Sequence, residues 1–296
     1  MKIIVLLLLL FGITSFAAMP DEAKSCVGDY DGSNWTDGCW GSHKKGPITK
    51  QGFWQDGYLN GEGSYTHDNG TLYKGGFKND EYHGYGILSN VDGSSYRGDY
   101  KYGKYHGNGT LVLSDGSTYV GEWRMGLREG QGTSTWISGD IYIGSYKDDL
   151  MHGKGTYKYA IGKFYVGDFQ YDYFHGQGKM TWPNGDTYEG EYKFDLEDGY
   201  GITNWSDGDT YEGENKNDSP DGLGIFSYAD GSIYEGGFRA GYKEGQGSMT
   251  WPDGSKYTGE WEFDLQQGQG KFTSANGDQY IGEYYNDLMH GHGKYI

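Results

Sequence analysis

The chain has 296 residues, with 42 Asp and Glu against 24 Lys and Arg and a net charge of −18. That balance excludes nucleic acid as a partner, because phosphate neutralisation needs clustered Lys and Arg, and it opposes nonspecific docking on anionic headgroups. Glycine (55 residues) and aromatic side chains (17%) are both abundant, so any reading of the chain must account for the two together.

In chain order, residues 1–18 differ in kind from the rest. Lys2 precedes an apolar stretch over 3–11, and Ser15-Phe16-Ala17 offers small residues at −3 and −1 of a cut before Ala18. The pattern predicts a secretory signal peptide over 1–17, too short and wrongly flanked for a transmembrane helix, and hence a secreted or periplasmic protein. Cys26 follows Ala23-Lys24-Ser25, far from the apolar stretch, which argues against lipidation. Loss of Lys2 with the leader leaves 23 basic against 42 acidic residues, a net charge of −19.

Cys26 and Cys39 are the only cysteines, and in an oxidising compartment they most simply form one disulfide. A metal site would need more ligands than the lone nearby His43. Residues 26–49 are rich in Gly, Asp, Ser and Trp and break the register that follows. Residues 18–49 are therefore expected to form a disulfide-containing N-terminal cap, since a repeat array needs a non-standard end over its first strand.

From residue 50 to 296 the chain repeats every 23 residues without insertion or deletion. Tyr73, Tyr96, Tyr119, Tyr142, Tyr165, Tyr188, Tyr211, Tyr234, Tyr257 and Tyr280 mark position 0, and Lys50 begins an eleventh unit in the same register. Glycines recur at positions 2, 11, 13 and 20, as in Gly190, Gly199, Gly201 and Gly208. Fixed glycines mean fixed backbone needs rather than a flexible linker. Positions 18–20 read Pro183-Asn184-Gly185 or Pro252-Asp253-Gly254, which suits a three-residue hairpin loop. That loop sets position 17 opposite 21 and position 15 opposite the next tyrosine, so that positions 0, 2, 4, 13, 15 and 17 share one face.

The side chains agree. Position 4 is aromatic in ten of eleven units, Asn215 being the exception, and position 17 carries Trp136, Tyr159, Trp182, Trp205, Tyr228 and Trp251. Glycines at positions 2 and 13 leave room for each ring to lie across the neighbouring strand. Positions 5–11, with Gly or Asp at position 7, read as a second connection. No apolar period of 3.6 follows residue 18. The expected fold is all-β: an elongated single-layer antiparallel sheet of about eleven stacked 23-residue β-hairpins, with polar positions such as Glu189, Glu212 and Glu235 facing away from the rings.

Reactive residues follow the period instead of converging. His83, His106, His152, His175 and His290 share position 10, roughly 10 Å apart at two strand spacings, too far for neighbours to share a metal. No nucleophile elbow occurs, and glycine pairs such as Gly153 and Gly155 lack the helix that a phosphate loop requires. A non-enzymatic chain without cofactor or metal is expected.

The sequence Tyr-Glu-Gly-Glu-Tyr at 188–192, with His175-Gly176-Gln177-Gly178 as its turn partner, resembles the MORN repeat (membrane occupation and recognition nexus) over residues 50–296. Cys26, Gly28, Ser33, Trp35, Thr36 and Cys39 look like the lead-in of secreted bacterial proteins with such repeats. The resemblance implies an elongated single-sheet array used for protein or membrane association. Enzymatic members of the family carry a separate catalytic domain, for which this chain leaves no room.

Three functional readings result. The first is a secreted or periplasmic scaffold with an unknown protein partner, its candidate face formed by Tyr188, Tyr211, Tyr234, Tyr257, Trp182, Trp205, Trp251 and Trp261. Here the last strand, lacking a cap, is expected to support a C-terminal homodimer through His290, Lys294, Tyr295 and Ile296. The second is a cell-envelope lipid- or glycan-binding surface using the same aromatic face, Trp182, Trp205 and Trp251 foremost. The third is an enzyme with a site between repeats, for which residues 215–221, containing Asn215, Ser219 and Pro220, are the only irregular stretch.

Overall fold

The computed structural model describes residues 24–26 and 38–296. The predicted leader, and residues 18–23 and 27–37 of the predicted cap, lie outside the described residues. The chain divides into two units, one ending at Leu127 and one starting at Arg128. Every regular element among the described residues is a β-strand.

In the first unit the short strand Lys24–Ser25 runs parallel to Cys39–Lys45, which pairs antiparallel with Ile48–Gln55. The antiparallel hairpin ladder continues strand by strand to Thr118–Arg124. Cys26 and Cys39 are disulfide-bonded, with Cα atoms 4.9 Å apart, and Cys39 is wholly buried. The register break ahead of residue 50 has a local cause. Lys45 pairs with Ile48 across only Gly46 and Pro47, one residue fewer than the loops of the regular units, so Gly41 still meets Gly52.

In the second unit each strand from Ile141–Lys147 to Leu288–Tyr295 is antiparallel to its chain neighbours. The loop 252–254 shows the expected geometry: the Trp251 N–H donates to Ser255 O at 2.9 Å, the Gly254 N–H to Trp251 O at 2.9 Å, and Gly254 takes φ 86°. Met249 therefore faces Tyr257, position 15 against position 0. The second connection is tighter than the sequence suggests. Only positions 6 and 7 turn, both with positive φ (Phe263 49°, Asp264 69°), a two-residue type I′ hairpin. Positions 8–11 already belong to the returning strand, Leu265–Thr273 in this repeat.

The tyrosine at position 0 is explained by a bulge. Gly259 pairs with Gly270, and the register then shifts at Glu260. The Tyr257 ring lies over that glycine pair and its hydroxyl donates to Glu260 O at 3.1 Å, capping the carbonyl that the irregular ladder leaves over. A Cβ on Gly270 would meet Tyr257 Cε2 and Oη at 2.5 Å, so only glycine fits beneath the ring. All ten tyrosines make this bond, at 2.7–3.4 Å.

Consecutive repeats are stitched by the aspartate of position 7. Its carboxylate accepts the backbone N–H of position 9 in the preceding unit, as from Asp172 to Met151 (2.7 Å), Asp195 to Phe174 (2.7 Å) and Asp264 to Lys243 (2.9 Å). Position 10 plays a similar part, His106 Nδ1 accepting from the Met125 N–H (3.4 Å) and Glu129 from Asp148 (3.2 Å). The histidine column is not uniform in this: His106 is a turn acceptor, whereas the Nδ1 atoms of His83 and His175 are buried without a hydrogen-bond partner.

Candidate binding groove on the aromatic face

The rings form the core of each unit. Position 0 meets the position-4 ring of its own repeat edge-on and that of the next repeat likewise: Tyr257 lies 5.3 Å from Trp261 and 4.9 Å from Tyr284. Tyr165 sits in the same way between Phe169 and Tyr192, each at 5.2 Å. Position 9, absent from the sequence reading of this face, also belongs to it. Tyr82 stacks on Tyr73 and Tyr105 on Tyr96 at 3.7 Å, and Phe174 on Tyr165 at 3.9 Å. The opposite face mixes Glu189 and Glu212 with partly exposed Ile143, Val166, Ile202 and Ile225, and is less uniformly polar than expected.

The candidate binding face therefore divides. Tyr188, Tyr211, Tyr234 and Tyr257 have no exposed surface and Trp261 has 5%, so these five support the face from within. Burial holds the hydroxyls of Tyr188 and Tyr257 well above their ordinary range. Trp182, Trp205 and Trp251 are half-buried, Trp205 against Phe226 at 5.3 Å and Trp182 beneath Lys163 Nζ at 5.6 Å. His290, Lys294 and Tyr295 lie on the exposed strand Leu288–Tyr295, and the Ile296 backbone pairs with Gln279.

The aromatic column is interrupted once, at Asn215. Tyr188 has Tyr192 at 5.2 Å on one side, but the ring that should follow from the next repeat is missing. A groove of about 690 Å3 lies on this face between Met151 and Pro220, entirely within the second unit, and Asn215 is part of its wall. Trp182, Trp205, Tyr157 and Tyr159 supply aromatic surface. Asp172, Asp186, Asp195, Glu197 and Asp218 supply five carboxylates, against the single base Lys163. Burial, and then the charge of Asp218, push Glu197 up from its ordinary 4.5 to about 7, while Lys163 pulls the other way. The Tyr192 hydroxyl is buried without a hydrogen-bond partner, and burial pushes it far above its ordinary value. The backbone is undisturbed, because Asn215 still pairs with Pro220. The irregular stretch 215–221 is a change of side chains on a regular ladder.

Each unit is a tandem β-hairpin sheet whose units are defined by a tyrosine-capped bulge. The chain belongs to the MORN repeat family, whose repeats match residues 51–72 and then ten consecutive segments from 73–95 to 280–296. Among curated proteins no match is found. Among solved structures, the chain is similar to the wild-type TCP10 domain of Danio rerio CPAP at 13% identity, covering 67% of this chain and 93% of that one with a TM-score of 0.39. The same domain in complex with a peptide of Danio rerio STIL matches at 11% identity over 76% of this chain and 90% of that one, TM-score 0.39. The TCP domain of Drosophila melanogaster SAS-4 (dCPAP), in complex with a proline-rich motif of Ana2, matches at 17% identity over 60% and 90%, TM-score 0.31.

Proposed function

We propose that this chain is a non-enzymatic repeat scaffold, secreted or periplasmic, that associates with a protein partner through the aromatic face of its second unit. MORN repeats in general suggest scaffolds for protein or membrane association, and they occupy this chain from residue 51 to 296. The observation that carries the reading is the groove at Asn215. The other repeats of this unit carry a ring at position 4, and where Asn215 replaces it the face presents a concave surface with aromatic walls and polar groups, the usual make-up of a binding site. Against catalysis stands the employment of reactive side chains: the position-7 aspartates, and at position 10 His106, Glu129 and Asp221, are engaged by backbone amides from repeat to repeat.

The test is a comparison of the mature chain with Asn215→Trp, which restores a ring at position 4. Immobilised wild type is expected to retain a protein from envelope or culture-supernatant extract that Asn215→Trp does not. Equal retention by both would refute the groove as the contact. Phospholipid vesicles and peptidoglycan fragments, titrated while tryptophan emission is followed, cover the alternative lipid- or glycan-binding reading, and saturable binding there without protein capture would replace the first reading. N-terminal sequencing of the protein recovered from outside the cytoplasm is expected to start at Ala18.

A further inference from the structure

Position 9 decides what fills the space between successive aromatic columns, and in two repeats the filler is a cation of the chain itself. Lys243 Nζ lies 5.4 Å from the ring of Tyr228, 5.6 Å from Tyr234 and 5.4 Å from Trp261, and 4.0 Å from Asp264 Oδ1. The Arg128 guanidinium lies 4.8 Å from the Tyr146 ring, with its Nε 3.3 Å from Asp149 Oδ1. The contributing positions are equivalent: a ring at position 4 of the next unit and an aspartate at its position 7, joined around Lys243 by rings at positions 17 and 0. The fold thus builds a recurrent cage in which π faces and one carboxylate surround a positive charge.

In the repeat beginning at Tyr188 the cage keeps Trp182, Tyr188 and Asp218 in the equivalent positions. The cation is replaced by Glu197, whose N–H donates to Asp218 Oδ1 at 2.8 Å, and the position-4 ring is replaced by Asn215. One repeat therefore presents two carboxylates where others present an ion pair, beside a groove that the missing ring opens. Lys163 Nζ stays over the rings of Tyr159 and Trp182, at 5.3 and 5.6 Å from their centroids, and acts on Glu197 as a nearby charge. Tyr192 lines the same groove; it is only 4% exposed and its hydroxyl oxygen is buried without a partner. The position-4 hydroxyls of Tyr100 and Tyr284 are likewise buried without a partner; at Tyr192 such an oxygen lies beside two acids and flat aromatic walls, a setting that suits a positively charged donor.

We propose that this groove seats the ammonium or guanidinium group of a lysine or arginine side chain of a partner polypeptide, between Glu197 and Asp218, with Trp182 and Trp205 as walls and the Tyr192 oxygen as a further acceptor. The proposal rests on the protein-association reading above and gives the partner a chemistry. A polypeptide suits the site better than a free amine. The lining residues run from strand Leu150–Lys158 to strand Ser219–Ser227, six strand spacings or about 29 Å at ~4.8 Å each. A small amine would fill a fraction of that length, whereas an extended segment follows it.

The experiment uses the mature chain and a capped glycine-rich pentapeptide with a central lysine, alongside its arginine, norleucine and Nε-acetyl-lysine versions and free cadaverine, with tryptophan emission as the readout. The lysine and arginine peptides are expected to bind about tenfold or more tightly than the norleucine and acetyl-lysine peptides, in keeping with one charge-assisted contact. Glu197→Lys, which supplies the chain's own cation as at Lys243, is expected to erase that difference. Asn215→Trp, which refills the wall, covers the case in which Glu197→Lys does not fold. Equal affinity for the lysine and norleucine peptides, or an undiminished preference in both variants, overturns the proposal. Cadaverine binding as tightly as the lysine peptide overturns the assignment to a polypeptide. If no peptide shows the preference while Asn215→Trp still abolishes capture of a protein from extract, the scaffold reading stands and the cation site falls.

Discussion

Replacing Gly270 with alanine places a Cβ 2.5 Å from Cε2 and from the hydroxyl oxygen of Tyr257. Gly270 pairs directly with Gly259 and its backbone is not in the left-handed region, so the cost is steric. The ring must retreat by about 0.9 Å to reach an ordinary contact near ~3.4 Å, and its edge-on neighbours Trp261 and Tyr284 confine it. Overpacking of this kind costs ~1–3 kcal/mol. Retreat also strains the bond from Tyr257 Oη to Glu260 O, 3.1 Å long, worth about 1 kcal/mol. The lower backbone entropy of alanine in the unfolded chain returns roughly 0.5–1 kcal/mol. A net loss of about 2 kcal/mol is expected, local to strands Lys256–Glu262 and Leu265–Thr273. Because repeat arrays open piecewise, amide hydrogen exchange in those two strands is the assay, with urea unfolding as a secondary measure. Tyr257→Ala provides the control: once the ring is gone, Gly270→Ala should add no further cost. If the two losses add within ~0.5 kcal/mol, the ring is not what excludes a side chain and the reasoning fails.

Glu197 makes stability depend on pH. Its folded value is raised from 4.5 to about 7, by burial first and Asp218 next, against Lys163. The folded state therefore holds this proton more tightly than the unfolded chain does, so the contribution is complete below about pH 4.5 and is lost as pH rises through about 7. Undiscounted, the shift is worth ~3 kcal/mol, and partial exposure reduces it to ~1–2 kcal/mol. Thermal melts should show wild type losing stability relative to Glu197→Gln across that window; parallel curves would contradict this. Asp172, at φ 70°, accepts the Met151 N–H at 2.7 Å. Asp172→Ala should cost about 2 kcal/mol and Asp172→Gly about 1 kcal/mol, because glycine escapes the left-handed penalty; exchange at Met151 measures both, and equal losses would deny the turn its part. Cys39→Ser, opening the link to Cys26 across a separation of 13 residues, should cost up to ~3 kcal/mol at the first strands while leaving exchange beyond Arg128 unchanged. A uniform loss along the chain would show that the effect is not local.

Much of the fold is legible because a strict period carries it. The proline-containing loops set the register that pairs Met249 with Tyr257, and the glycine columns at positions 2 and 13 foretell rings lying across the strands. Two things are hidden. The type I′ turn takes Phe263, Tyr171 and Phe194 at positive φ, where asparagine or glycine is the readable signal, so the tight turn is easily taken for a longer connection. Position 9 then drops out of the face, and its column is a poor guide, since Tyr82 and Phe174 alternate along the chain with Arg128, Glu197, Pro220, Lys243 and Gln266. The doublets Asn79-Asp80, Asp148-Asp149 and Asn217-Asp218 are the signal that could have placed the turn. The groove was half visible: Asn215 stands out as the break in the aromatic column. Its acidity did not, because Glu197 and Asp218 are 21 residues apart and meet only through the stitching between repeats.

The bond from the tyrosine hydroxyl to the bulge carbonyl also bears on how such a chain can change length. One residue inserted into a strand turns every later side chain there to the opposite face, stranding the ring in water and the carbonyl without a donor. A whole 23-residue segment added or removed restores the same set of bonds at the splice. The length of the array is therefore quantised, and drift within a unit is confined to substitution. Asn215 and Glu197 are changes of that permitted kind, so a distinctive patch could arise inside an otherwise uniform lattice without unsettling the turns on either side.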